Sequence, residues 1–190
     1  NVNQGQQGAN IITDANLQQH KNALTQAQNA DTAERTRLDT FAESQQYKDA
    51  KTAVDSHKEL SDNVRQLNQD IQQINADLTR IRSDLAALQT NTTMSDPEKN
   101  ARATMLVQQE QQKNADLTDK QQALNDANTQ LNNIQNNPQW QQQQQIVQTH
   151  EQQEQAYTQQ AAQTNALDAR ITQWENATNS IAELNHRIDE

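Results

Sequence analysis

The sequence predicts an all-α fold, a long antiparallel coiled-coil hairpin in which the chain turns back on itself once. From Leu60 to Leu88 a branched apolar residue recurs at steps that alternate between four and three, the pattern of a coiled-coil seam. Only 32% of the 190 residues are hydrophobic. That fraction is close to the roughly 29% that two seam positions in seven require. The seam residues are Leu60, Val64, Leu67, Ile71, Ile74, Leu78, Ile81, Leu85 and Leu88.

The first arm of the hairpin is predicted to span residues 14–90, after a flexible lead-in of residues 1–13 that contains both glycines. Thr13 or Asp14 is expected to cap its helix, because a short side-chain oxygen satisfies free backbone N–H groups at a helix start. An early apolar stripe ends at Phe41 and is out of phase with the seam that begins at Leu60. We therefore expect the seam to slip between residues 42 and 50 without ending the helix.

The tip of the hairpin is predicted at residues 89–99, where Thr, Asn and Ser replace the helix-favouring residues. Ser95 and Glu98 have the spacing of a capping box, and Pro97 suits a first helical turn. The return arm then covers residues 97–137 and 138–190. Pro138 interrupts it, because proline lacks the N–H that a continuous helix needs, and Asn137 is expected to cap the segment that follows.

The alignment of the two arms follows from their apolar residues. Paired seam residues, such as Ile81 with Leu106 and Ile71 with Leu117, have residue numbers that add to 187 or 188. The same sum pairs Tyr47 with Trp140, so a joint is predicted near Tyr47, Trp140 and Pro138. The alternative is a three- or four-helix bundle that folds again at Pro138 and near residue 44. The narrow apolar faces favour the hairpin.

Several polar residues fall on or near the predicted seam. Glu110, Lys113 and Lys120 occupy it opposite Leu78, Ile74 and Leu67, respectively. They are interpreted as a recognition or bending point, as apolar stems that cover their neighbours, or as register control, since polar seam residues penalise wrong pairings. Two histidines lie near the seam: His57 is expected to face Leu131, and His150 to face Leu38.

The sequence predicts no catalytic, cofactor-binding or metal-binding residues, and a protein that is not an enzyme. The histidines lack metal-ligand spacing, and neither a catalytic triad pattern nor a phosphate-binding loop is present. A net charge of −10 without a basic stripe argues against nucleic-acid binding. No apolar run approaches the ~20 residues of a membrane span, so direct membrane insertion is not expected.

Protein partners are the expected ligands, and self-association is one form of this. Exposed turns often make contacts with partner proteins. Four residues of the tip are therefore candidate contact residues: Asn91, Thr92, Thr93 and Met94. The predicted joint nominates three more, whose aromatic rings offer large contact areas: Phe41, Tyr47 and Trp140.

Two segments, residues 23–30 (ALTQAQNA) and 123–132 (ALNDANTQLN), resemble coiled-coil stalks of bacterial surface and secreted proteins. In outline the chain also resembles the helical-hairpin receptor-binding region of colicins. The resemblance implies an extracellular or cell-surface spacer that projects an adhesive, conjugation-related or wall-acting module. The alternatives are a regulatory arm of a secreted cell-wall hydrolase and a cytosolic coiled-coil arm. Because the sequence begins with Asn1, it is expected to be a processed form or an excised piece.

Overall fold

The computed structural model describes residues 11–189, and within that range the chain is all-α. Its four helices are α1 (Leu17–Ala42), α2 (Gln45–Thr90), α3 (Asp96–Gln135) and α4 (Trp140–Asp189). Strands are absent from this range. The predicted all-α class is thus confirmed. The predicted lead-in falls largely on residues 1–10, which lie outside the described range.

The chain divides into two compact units. The tip unit is Asp49–Gln144, and the terminal unit combines Asn1–Lys48 with Gln145–Glu190. Within each unit two helical segments pack antiparallel along their lengths, a packing compatible with both the predicted hairpin and the predicted bundle. A single hairpin from residue 14 to residue 190 stays a prediction.

In the tip unit, the predicted seam is the buried face of α2. Leu67, Ile74, Leu78 and Ile81 are at most 7% exposed, Asp70, Ile71 and Asp77 are half-buried, and the other residues between them face solvent. Cross-helix pairs between α2 and α3 have index sums of 190–192, as in Asp70 with Lys120. Long side chains lean toward the N-terminus of their helix, which raises such sums above those of the backbone. The predicted register therefore agrees with the structure to within about one helical turn.

In the terminal unit, α1 packs against α4. Leu38, Val147 and Ile171 form its buried apolar set. Arg35 pairs with Glu154 at an index sum of 189, and Lys21 pairs with Glu175 at an index sum of 196. The antiparallel direction predicted for the ends of the chain holds within this unit.

The first predicted helix is wrong in two respects. It was expected to run unbroken to residue 90, but α1 ends at Ala42 and α2 begins at Gln45. Ser44 explains the break, because its hydroxyl donates to the Phe41 carbonyl at 2.6 Å and accepts the Tyr47 N–H at 3.2 Å. A serine that bonds backbone groups in this way competes with helical hydrogen bonding and caps the next helix.

The start of α1 also differs from the prediction. The N-cap residue is Asn16, whereas Thr13 or Asp14 was expected. The Asn16 side chain accepts the Thr13 N–H at 2.7 Å and donates to the Ile11 carbonyl at 2.8 Å. These bonds fold residues 11–16 into a turn, so the helix starts later than its first polar residues suggest.

The interruption at Pro138 is confirmed. Helix α3 ends at Gln135, and α4 begins at Trp140. The Asn137 side chain accepts the Gln139 N–H at 2.9 Å, and the Asn137 carbonyl accepts the Trp140 N–H at 2.9 Å. Asparagine favours such turns because its side chain mimics a backbone acceptor.

Candidate functional site

The turn between α2 and α3 is built around the Asn91 side chain. Its Oδ1 accepts the backbone N–H groups of Thr93 at 2.8 Å and Met94 at 3.0 Å, together with the Thr93 hydroxyl at 2.9 Å. One carboxamide oxygen thus organises three donors of a short loop, as an Asx turn does. The four nominated tip residues are all in this turn: Thr92 and Thr93 are exposed, while Asn91 and Met94 are half-buried.

The other side of the turn is closed by the predicted capping box of α3. The Ser95 hydroxyl and its backbone N–H both donate to the Glu98 carboxylate, at 2.8 and 3.2 Å. These bonds stabilise the charged carboxylate and lower the pKa of Glu98. Pro97 occupies the first turn, where a missing N–H costs nothing. The turn therefore holds a defined geometry.

A cavity of about 270 Å³ opens beside this turn, between α2 and α3. Its lining combines apolar side chains with one carboxylate and one guanidinium. It is lined by Asp84, Ala87, Leu88, Asn91, Met94, Arg102 and Leu106. Sequence reasoning found only Asn91 and Met94 of this set as contact residues. Asp84 and Arg102 lie off the apolar seam, so the heptad pattern gave no signal for them.

The charged residues predicted on the seam of α3 all find partners on α2. Arg82 bonds Glu110 at 2.7 Å, Lys113 bonds Asp77 at 3.0 Å, and Lys120 bonds Asp70 at 2.8 Å. The Lys113 bond lowers the pKa of Asp77, and the Lys120 bond lowers that of Asp70. Each charged seam residue therefore meets an opposite charge in the observed register, which is compatible with the register-control interpretation.

Helices α1 and α4 are joined by a more polar cluster in the terminal unit. The Arg35 guanidinium donates to both Glu154 oxygens at 2.7 and 2.6 Å, and to Asp39 at 2.9 Å. The fork lowers the pKa of Glu154. Arg35 also lies 5.1 Å from the centre of the Tyr157 ring. The bidentate ion pair with Glu154 and the contact with the Tyr157 ring together hold this guanidinium in place.

The buried histidine of the terminal unit extends this cluster. His150 is 6% exposed, and its Nε2 lies 3.4 Å from the Leu38 carbonyl and 3.6 Å from Glu154. It faces Leu38, as the index sum predicts. The rings of Phe41 and Tyr47 lie 5.8 and 4.5 Å from its ring. The nominated Phe41 and Tyr47 therefore pack on this histidine.

The third nominated aromatic residue, Trp140, belongs to the tip unit. It is buried and stacks on His57 with ring centres 4.7 Å apart. His57 also lies 3.0 Å from the Gln135 amide nitrogen, whereas the sequence placed it opposite Leu131. A common joint of Phe41, Tyr47 and Trp140 stays a prediction.

Within residues 11–189, no group of three His, Asp or Glu side chains could hold a metal ion. No helix in the same range is long and apolar enough to cross a membrane. In comparison with known proteins, the chain matches no family model, and no curated protein or solved structure is significantly similar to it.

Proposed function

We propose that this chain is a non-catalytic coiled-coil module that acts as a spacer and presents a protein-contact surface at the α2–α3 turn. We place it at a bacterial cell surface or in a secreted protein, where it would project or position an adhesive or conjugation-related function. This location rests on the resemblance of residues 23–30 and 123–132 to surface-protein stalks.

The observation that carries the proposal is the matched seam of the tip unit. Five buried apolar residues of α2 form a narrow core, and three cross-helix ion pairs flank it. At 1.5 Å per residue, the 40 residues of α3 extend for roughly 60 Å. A long helix pair held in one register keeps its turn at a fixed distance from its base, which is what a spacer requires.

The turn supports a contact role because it combines order with exposure. Asn91 and the Ser95–Glu98 capping box hold the backbone, while the side chains of Thr92 and Thr93 face solvent. Beside them, the 270 Å³ cavity offers an apolar lining from Leu88 and Leu106 and two charges. Preorganised loops lose less entropy on binding than flexible ones.

The spacer role can be tested by removing one heptad from each helix. Deleting residues 71–77 together with residues 111–117 removes Asp77 with its partner Lys113 and keeps the other two ion pairs aligned. The tip unit becomes roughly 10 Å shorter. In cells that express the full-length protein, we expect adhesion or conjugation to fall while the purified chain stays helical.

The contact role is tested in the same cells by Met94→Asp, with Thr118→Asp as the matched change on the exposed face of α3. We expect the first change alone to reduce adhesion or conjugation. If removing the entire chain leaves both processes unchanged, the proposal is wrong. Restored activity of a linked wall hydrolase after removal would favour the regulatory-arm alternative.

A further inference from the structure

The last two heptads of α4 present an apolar face that remains open to solvent. Every residue from 176 to 189 is exposed. Ile181, Leu184 and Ile188 are 59%, 57% and 79% exposed, and they are three of the six exposed large hydrophobic side chains in the described chain. Steps of three and four residues place them on one side of the helix. Such concentration in a chain with few apolar residues indicates an unfilled interface.

This stripe runs alongside the interface that the terminal unit already forms. Trp174, seven residues before Ile181 and at the same heptad position, is half-buried. The ion pair of Lys21 with Glu175 joins the start of α1 to α4 at this level. Helix α1 begins at Leu17, so the apolar stripe of α4 runs on beyond the helix that covers its earlier part.

The sequence before α1 is a poor match for this stripe. Residues 1–10 contain only two apolar side chains, Val2 and Ala9, and three of the ten are glutamines. Glutamine offers no apolar seam, and the glycines at positions 5 and 8 disfavour a helix. A second copy of α4, in contrast, offers an identical stripe.

The residue choice indicates how two copies would pair. In heptad notation, Ile181 and Ile188 occupy a positions and Leu184 a d position. Isoleucine at a with leucine at d favours parallel two-stranded coiled coils. The flanking e and g positions in this segment are Thr178, Ser180, Asn185 and Arg187. Three of these four side chains are uncharged, so no like-charge pair opposes the alignment.

We propose that two copies of the chain associate through a parallel, in-register coiled coil formed by residues 176–189. Fourteen residues span roughly 21 Å, which is short for a coiled-coil interface. Stable protein–protein interfaces bury about 1,200–2,000 Å². Because a coiled coil this short buries less surface, we expect a weak dimer that forms at protein concentrations on the order of 0.1–1 mM. This self-association does not depend on the spacer role or on any partner at the tip.

Cysteine cross-linking tests the proposed alignment, because the chain contains no cysteine. Parallel in-register pairing brings identical a or d residues of the two copies close enough for a disulfide bond. After mild oxidation of the full chain, we expect Leu184→Cys and Ile188→Cys each to give a covalent dimer. Asn179→Cys, on the opposite face of the same segment, should stay monomeric. A dimer from Leu184→Cys alone would overturn the parallel arrangement.

Sedimentation equilibrium tests the association itself. We expect the double variant Ile181→Asp/Leu184→Asp to weaken dimerisation at least tenfold, and Asn179→Asp to leave it unchanged. All three positions are exposed, so circular dichroism should show the same helix content in each variant. A chain that stays monomeric at about 1 mM would overturn the proposal. So would dimers that appear only after residues 1–10 are removed, because those residues would then be the occupant.

Discussion

The tip unit and the terminal unit use the same antiparallel helix pairing but fill it differently. Seven of the ten buried hydrophobic residues of the described chain lie in the tip unit. The three buried polar residues, Asp31, His150 and Thr164, all lie in the terminal unit. In the tip unit, charges form cross-helix pairs beside an apolar core. In the terminal unit, polar groups replace part of that core.

The difference shows that a thin helical core can be specified in two ways. Apolar seam residues supply most of the stabilisation, since burying each one is worth about 1.5–3 kcal/mol. Buried polar groups add directional bonds, but each costs free energy wherever a bond is missing. Asp31 illustrates the cost, because its Oδ1 has no hydrogen-bond partner among the described residues. We expect the terminal unit to be the less stable of the two.

The two tryptophans allow this expectation to be measured, because each unit contains one. Trp140 lies in the tip unit, and Trp174 in the terminal unit. A Trp174→Phe background reports the tip unit by fluorescence, and a Trp140→Phe background reports the terminal unit. Urea unfolding should give the lower midpoint for the terminal unit. Coincident midpoints would mean that the two units unfold together.

The largest effect is expected for Ile74→Asp in the tip unit. Ile74 is 7% exposed, so the change buries a carboxylate in the apolar core and removes the packed side chain. We expect it to lower the free energy of unfolding by about 3–5 kcal/mol. The measurement is urea unfolding followed through Trp140.

The matched control for Ile74→Asp is Gln72→Asp, which puts the same charge on the exposed face of α2. That change should alter the free energy of unfolding by less than about 0.5 kcal/mol. Equal losses for the two variants would show that the seam assignment is wrong.

A smaller effect of opposite sign is expected for Asp31→Leu in the terminal unit. Asp31 is 9% exposed and lacks a partner for one carboxylate oxygen. Replacing it removes an unsatisfied buried acceptor and completes an apolar seam position. We expect the free energy of unfolding to rise by about 1–3 kcal/mol, measured through Trp174.

Asp31→Asn serves as the near-isosteric comparison, because it removes the charge but keeps a polar group. Its unfolding midpoint should fall between that of the unmodified chain and that of the Asp31→Leu variant. A loss of stability in Asp31→Leu would contradict the idea that the polar seam weakens this unit, and would assign the carboxylate a favourable role.

The smallest effect concerns acid pH. Cross-helix bonds lower the folded-state pKa of Asp70 and Asp77 in the tip unit and of Glu154 in the terminal unit. Such carboxylates stabilise the fold fully above their unfolded pKa of about 4. That stabilisation is lost as the pH falls through the lowered folded value. We expect the Tm of the chain to decline below about pH 4 and the double variant Lys113→Met/Lys120→Met to decline less.

Arg65→Met provides the control for the pH series, because Arg65 pairs with the exposed Asp62 on the same helix. Exposed pairs of this kind contribute little to stability. Its Tm should follow the pH dependence of the unmodified chain. Identical pH profiles for all three proteins would show that the cross-helix pairs do not contribute.

Much of the fold could be predicted because the heptad pattern states which residues meet. The Leu60–Leu88 seam, the Ser95–Glu98 capping box and the break at Pro138 all depend on local spacing or backbone chemistry. The charged positions 110, 113 and 120 were found by the same spacing. The hairpin prediction missed the break at Ser44, which only the bundle alternative included, because a serine caps a helix only when its hydroxyl turns toward the backbone.

The candidate site was only partly predictable. The turn residues were found, because a run of Thr and Asn ends a helix. Asp84 on α2 and Arg102 on α3 line the same cavity because the two helices pack together, which spacing along either helix alone does not show. Asp31 was also not predicted to lie on the seam of α1. An acidic residue at a heptad position interrupts the apolar pattern, so the position looks like a solvent-facing one.

Local spacing and composition are enough to indicate a helical chain, the ends of α2 and α3, and the apolar faces. These properties depend on interactions a few residues apart, which spacing and capping residues record. Three features appear only when the helices are packed together: the pairing of charges across helices, the burial of His150 against Phe41 and Tyr47, and the exposure of the stripe of Ile181, Leu184 and Ile188. Those outcomes depend on where each helix ends relative to its partner, a property that no single helix contains.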